Sequence, residues 1–137
     1  MNAKRAVVDT NVIVSAVTAG GVPQKIIQAW ITGEFVAIIS EELRREINTV
    51  LSRSKLISLD RKRRILLGTL FNQALTVLPR RIKEPVFPDE NDHFLLELAV
   101  TGQASFIVTG DKAMLKVKKA SGIEIVSPQQ FCKKLRI

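Results

Sequence analysis

The chain has 137 residues, a length that suits one domain spanning 1–137, and 46% of them are hydrophobic, enough to bury a core without staples. Its one cysteine, Cys132, excludes an intramolecular disulfide and a zinc knuckle and fits a reducing compartment, with a structural role beside an apolar Phe. Twenty-one Lys and Arg against 13 Asp and Glu leave a net charge of +8, an excess that attracts polyanions such as nucleic-acid backbones.

In chain order, Ala6 to Val8 is a short apolar run ending on Asp9 and reads as strand one. The run from Val12 to Val17 stays apolar until Gly20-Gly21, and Pro23 suits the first turn of a helix that carries Ile26, Ile27 and Trp30 and ends at Gly33. Phe35 to Ile39 is continuously apolar, as a strand covered on both faces requires. Ser40 suits an N-cap for a helix from Glu41 to Ser52, with Leu43, Ile47, Val50 and Leu51 as its apolar stripe. Asp60 caps a basic helix, and Leu75 to Leu78 reads as strand three. From Arg80 to Asn91 the prolines Pro85 and Pro88 break regular structure. A helix from Asp92 to Thr101 closes at Gly102. Ser105 to Val108 is strand four, Asp111 opens a short helix to Val117, Ile123 to Val126 is strand five, and Pro128 begins the last helix. Strands alternating with helices predict a parallel α/β sheet.

Basic residues cluster at Arg44-Arg45, at Arg61 to Arg64, at Arg80-Arg81 with Lys83, and at Lys112, Lys116, Lys118 and Lys119. Each cluster alone could be a solvated face. With six Phe, one Trp and no Tyr, a stacking platform for single-stranded bases has little to build on. The opening residues carry no secretory signal pattern, and no run of 18 apolar residues occurs. The sequence therefore predicts a cytoplasmic protein with no membrane segment.

Asp9 and Asp111 each follow a buried strand, where open α/β sheets place their ligands. Asp92 leads the 92, 95, 96, 99 stripe of its helix, and Glu46 lies three residues from Leu43 and four from Val50, on or beside the apolar face, so both are expected to face inward. Buried carboxylates need a cation. The plainer reading makes Asp9, Asp92 and Asp111 helix caps or first-turn acids and pairs Glu46 with an arginine. Together the four acids point to one cleft, and oxygen-only ligands select hard cations. Such a cleft on a basic chain suits phosphodiester hydrolysis. Asn11 and Thr109 are placed to orient a carboxylate or a metal-bound water. His93, on another side of its helix, and Asp89 and Glu90, in the proline-flanked loop, are weaker candidates. Ser15 has no histidine spaced to activate it.

Asp9-Thr10-Asn11, the run from Ser40 to Leu43 with Glu46, Asp92-His93-Phe94-Leu95, and Thr109-Gly110-Asp111-Lys112 together resemble the PIN-domain family, in its prokaryotic toxin branch of VapC-like ribonucleases. The resemblance runs over nearly the whole chain. It implies a three-layer fold with a five-stranded parallel sheet in the order 3-2-1-4-5, which makes strands one and four neighbours. It implies an acidic quartet at Asp9, Glu46, Asp92 and Asp111, supported by Asn11 and Thr109, and metal ligation by Asp9, Asp92 and Asp111. The implied cofactor is Mg²⁺ or Mn²⁺, as one or two ions, and the implied activity is RNA cleavage, with Arg44, Arg45 and Lys112 holding the backbone. A cognate antitoxin and a homodimer are the implied protein partners. Asn91 departs from the pattern at a position often acidic in relatives, which leaves one or two metals open. A catalytically silent PIN-like RNA-binding or oligomerisation module is the alternative. A haloacid-type phosphatase would need an acid where Asn11 stands, and the acidic pair of a receiver domain is missing.

Overall fold

In the computed structural model, residues 3–53, 61–83, 87, 89 and 92–137 are described, with the side chains of 61–63 excepted. The proposed Asp60 cap, Pro85, Pro88, Glu90 and Asn91 lie outside the described residues.

The apolar runs become the strands β1 (Arg5–Val8), β2 (Val36–Ile39), β3 (Ala74–Thr76), β4 (Phe106–Val108), β5 (Lys119–Ala120) and β6 (Ile123–Val126). Their order across the sheet is β3-β2-β1-β4-β6-β5. The first five positions reproduce the expected parallel order, with β6 as the fifth strand anticipated from sequence. The sixth strand, β5, is a two-residue antiparallel addition at the edge and was not expected. Two residues give no periodicity to read, and its tight return to β6 needs left-handed backbone at Ser121 and Gly122. Strand three is shorter than expected and begins earlier, so Leu78 falls outside it and is 89% exposed.

The helices are α1 (Thr10–Ala19), α2 (Gly21–Ile31), α3 (Glu41–Arg53), α4 (Arg61–Asn72), α5 (His93–Thr101), α6 (Lys112–Val117) and α7 (Pro128–Leu135). Ser40 caps α3 as expected, its Oγ accepting from the Leu43 N–H at 3.1 Å. Ser127 and Gln130 form a capping box at α7, with Pro128 in the first turn. Each satisfies backbone donors that a helix start would otherwise leave bare.

Edge-to-face rings tie the layers together. Trp30 of α2 meets Phe35 at 6.4 Å, Phe35 meets Phe131 of α7 at 5.0 Å, and Phe131 meets Phe106 of β4 at 5.6 Å. Such pairs add about 0.5–1.5 kcal/mol each beyond their burial. Trp30 also donates its indole N–H to the Leu70 carbonyl at 3.0 Å, pinning α4 to α2. Helix α5 packs across β1, β2 and β4, and the close approach is made possible by Gly102. A Cβ there would come within 2.4 Å of Ile38 Cγ2. Cys132 is buried in α7, as expected of a structural thiol. Among the described residues, no helix is long and apolar enough to cross a membrane.

Candidate active site

The register of β1 against β4 sets Val8 beside Val108, so the chain leaves both strands together at Asp9 and Thr109. The Asp9 N–H closes this end by donating to the Val108 carbonyl at 2.8 Å. Thr109 is fully buried, and its hydroxyl donates to Asp9 Oδ2 at 2.8 Å while accepting the Asp111 N–H at 3.1 Å. Asn11 completes the network. Its Nδ2 donates to Asp9 Oδ2 at 3.2 Å and reaches Thr109 Oγ1 at 3.5 Å, and its Oδ1 accepts the Gly110 N–H at 3.2 Å. One carboxylate oxygen of Asp9 is thereby fixed by two side chains from two strand ends.

Three aspartates stand at N-cap positions, and they do different work. Asp111 caps α6 through Oδ1, which accepts from Ala113 N at 2.8 Å and Met114 N at 3.4 Å. The ordinary explanation therefore applies to Asp111. It fails for Asp9 and Asp92, which precede α1 and α5 without any side-chain capping bond. Asp92 stands just outside α5 rather than within it as expected, because its backbone makes a turn in which its N–H donates to the Asp89 carbonyl at 3.0 Å.

Glu46 departs from expectation more clearly. The buried stripe of α3 is Leu43, Ile47 and Leu51, and Glu46 flanks it as an exposed residue rather than facing inward. A helical position one residue from the stripe's edge is rotated about 100° away from it. The long side chain still reaches the cleft, where Oε2 accepts the Thr10 hydroxyl at 2.5 Å. Thr10 is buried in the first turn of α1 and was missed from sequence. A hydroxyl directly between Asp9 and Asn11 was the available signal.

Electrostatics join the four acids. Burial raises the Asp9 carboxyl above its ordinary range, and the Glu46 charge adds to this, while the Thr109 hydroxyl and local N–H groups oppose it. Asp92 is pushed up to about 6, first by burial and then by the charges of Asp111, Asp9, Asp89 and Glu46. Asp89, a minor candidate from sequence, thus acts on Asp92 both by charge and through the backbone. These are like charges in a partly desolvated cleft, and a cation would relieve them. The donors are all oxygen, which fits Mg²⁺ or Mn²⁺. Among the described residues, however, no three acids close into a ready ligand group. Mg²⁺ usually keeps several of its waters and is held by one or two carboxylates, so Asp9, Asp92 and Asp111 would not all need to touch it directly.

The remaining candidates separate. His93 does not point to the acids; Nε2 lies 2.7 Å from the Ile82 carbonyl and 4.0 Å from Glu97 Oε2. With Glu97 and Thr101, which accept the N–H groups of Ile82 and Arg80, it holds residues 80–82 along α5. The Arg44 guanidinium lies 5.1 Å from the Phe71 ring and 3.7 Å from Glu41, so it is already engaged. Arg45 and Lys112 are exposed, Lys112 directly after Asp111.

Comparison with known proteins agrees with this architecture. The chain superposes on PAE2754 from Pyrobaculum aerophilum with a TM-score of 0.60, at 13% identity, covering 98% of this chain and 90% of that one. It superposes on VapBC2 from Rickettsia felis, solved bound to a DNA fragment from its promoter, with a TM-score of 0.59, also at 13% identity, covering 90% of this chain and 98% of that one. At this identity the likeness shows the fold. No curated protein matches the sequence. The family profile described as PIN domain matches residues 5–113, from the first strand through the turn after Asp111. With four-fifths of its length so matched and the strand order in place, the chain belongs to the PIN-domain family, whose members are generally nucleases.

Proposed function

We propose that the protein is a Mg²⁺- or Mn²⁺-dependent endoribonuclease and serves as the toxin component of a toxin–antitoxin pair. The observation that carries the chemistry is the fixed Asp9 carboxylate, oriented by Thr109 and Asn11, together with an Asp92 carboxyl raised by burial and then by its acidic neighbours. Asp9, Asp92 and Asp111 would hold the ion, and Glu46 would complete the cleft. The ion, when bound, supplies Lewis acidity to a phosphodiester and lowers the pKa of a coordinated water. Asp9 offers an oxygen whose direction is set before substrate arrives. Asp92, whose carboxyl burial and like charges push up to about 6, gains most from a cation that neutralises that charge. Arg45 and Lys112 would hold the RNA backbone, with Arg44 contributing only if it leaves Phe71. The antitoxin assignment rests on the toxin-branch motifs and on the fold shared with the VapBC2 complex. Homodimerisation belongs to the same reading.

The test is cleavage of a mixed-sequence RNA with millimolar Mn²⁺, with EDTA, and with Asp9→Asn. Activity that needs the metal and disappears in Asp9→Asn is expected; full activity in the variant would sink the proposal. That no three acids among the described residues form a ready ligand group favours one competing reading, a catalytically silent RNA-binding module. A melting experiment separates the two. Ligand bound by the native state raises the melting temperature, so millimolar Mn²⁺ stabilises a working metal site. No shift, together with salt-sensitive RNA binding, is the outcome for the silent module.

A further inference from the structure

A cleft of about 400 Å³ opens directly beside the acids and shares two residues with them, Asn11 and Asp111. Its other walls come from four parts of the chain: Val12 and Ser15 on α1, Pro23 on α2, Gly110 after β4, and Pro128 after the neighbouring strand β6. The size lies within the range of small-molecule pockets, roughly 300–1,000 Å³.

The chemistry of the walls is selective. Asp111 alone carries charge, although this is a chain of net charge +8. A phosphate would find no cation in the lining, whereas Val12, Pro23 and Pro128 give the cleft an apolar wall suited to a planar heterocycle. The Asn11 amide is already committed to Asp9, Thr109 and Gly110, which makes it a rigid wall rather than an adaptable reader. Ser15 is different. Elsewhere Thr18, Ser52 and Thr69 turn their hydroxyls back onto the carbonyl four residues earlier. Among the described residues, Ser15 makes no such bond, and its exposed hydroxyl lines the cleft. It sits one helical turn after Asn11, on the same side of α1.

We propose that this cleft is a nucleoside subsite, which seats the base and sugar of the nucleotide next to the phosphate held at the acids, with Pro23 and Pro128 against the ring and Ser15 on its polar edge. The proposal rests on the nuclease reading for its substrate. Shared walls at Asn11 and Asp111 put one occupant in contact with both places, so the cleft determines which nucleotide flanks the cut. Such walls act on one nucleotide only, by removing the face of its base from water. That is enough for a marked preference at one position and none at distant ones.

Two measurements test it. First, cleavage products of a randomised RNA are sequenced for the wild-type chain and for Ser15→Phe, a substitution at an exposed helix position that fills the cleft. A nucleotide bias at one position flanking the cut is expected in the wild type. The variant should flatten that bias and raise KM about tenfold. Gly110→Ala serves as the milder companion, because a Cβ there lies 3.7 Å from Asn11 Oδ1, an ordinary contact, and adds one methyl to the wall. Its bias should change partly. Second, the four nucleoside 5′-monophosphates are titrated without metal while the amide resonances of Ser15 and Gly110 are followed. Shifts saturating with at least one of them, and lost in Ser15→Phe, support the subsite whether or not the protein cleaves RNA. Robust wild-type cleavage with the same bias and KM in Ser15→Phe overturns the subsite and leaves the nuclease intact. Absence of cleavage with saturable amide shifts overturns the nuclease and leaves the subsite. Absence of both removes both.

Discussion

The two halves of the acidic cleft are built in different ways. The half that grows from β1 and β4 is tightly determined: Asp9, Asn11, Thr109, Gly110 and Asp111 are connected by hydrogen bonds of 2.8 to 3.5 Å, and Thr109 is wholly buried at their centre. The half carried by α3 and α5 is held by single bonds. Glu46 reaches in from an exposed helix face to Thr10, and Asp92 stands outside α5 with no cap of its own. The strand half thus resembles a fixed frame and the helix half an adjustable counterpart. The fixed half orients ligands in advance, which minimises reorganisation when substrate arrives. Both halves hold a carboxyl raised first by burial, Asp9 in the frame and Asp92 outside it, but only Asp9 has a side-chain hydroxyl opposing the rise.

Substitutions that cut into the frame should have the largest effects. Asp9→Asn leaves an amide oxygen that still accepts from Thr109, so the fold should persist within a few degrees of the wild-type melting temperature. RNA cleavage should nevertheless fall at least ~100-fold, because the anionic ligand is gone. Thr109→Val comes next. It removes the donor to Asp9 and the acceptor of the Asp111 N–H in one step. A backbone donor left without a partner costs about 1–3 kcal/mol when buried and less at the partly buried Asp111, and loss of an orienting partner lowers activity ~10–100-fold. A chemical denaturation curve and a cleavage assay measure the two parts. A Thr109→Val protein with unchanged stability would show that the frame is not the organising element.

The frame was also the part most legible in sequence, and for a physical reason. Continuous apolar runs that end on polar residues mark buried parallel strands, so Val7-Val8-Asp9 and Ile107-Val108-Thr109 announced both their position and their common end. The helix half was harder. Periodicity placed Glu46 near an apolar stripe, but it cannot say whether a long side chain at the stripe's edge turns inward or reaches around, and the residue is exposed. Thr10 passed unnoticed because a threonine after a strand is unremarkable until its partner on α3 is known. Helical rotation puts His93 about 100° around α5 from Asp92. Its actual use, holding residues 80–82 with Glu97, depends on a non-periodic segment that sequence patterns do not position. The edge strand β5 is too short for any pattern to show.

In the adjustable half, Asp92→Asn should separate stability from activity. An acid whose folded pKa is raised, here from 3.8 to about 6, favours the fold while protonated. That contribution is complete below the unfolded pKa and is lost as pH rises through about 6. At pH 7.5 the wild-type chain therefore carries an ionised, repelled carboxylate that Asn lacks. The variant should melt a few degrees higher than wild type at pH 7.5 and by much less at pH 4. Cleavage should be strongly reduced at either pH. Equal melting temperatures across this range would mean that Asp92 carries no strain.

The smallest effect should come from Glu46→Gln. Glu46 is the exposed member, and its charge is the last of the influences that raise Asp92 and second to burial among those that raise Asp9. Removing that charge while keeping an oxygen for the Thr10 hydroxyl should leave the melting temperature at pH 7.5 unchanged or up by about a degree. The Asp92 carboxyl should titrate slightly lower, so the pH at which Mn²⁺ begins to stabilise the fold should move down with it, because the ion competes with protons for the same oxygens. A series of melts with and without Mn²⁺ between pH 5 and 8 reads this directly. A rise in melting temperature as large as that of Asp92→Asn would make Glu46 a principal source of the cleft's charge repulsion rather than an outer one. A small downward shift keeps Glu46 where its exposure puts it, as an outer charge that tunes the cleft while the strand ends hold its shape.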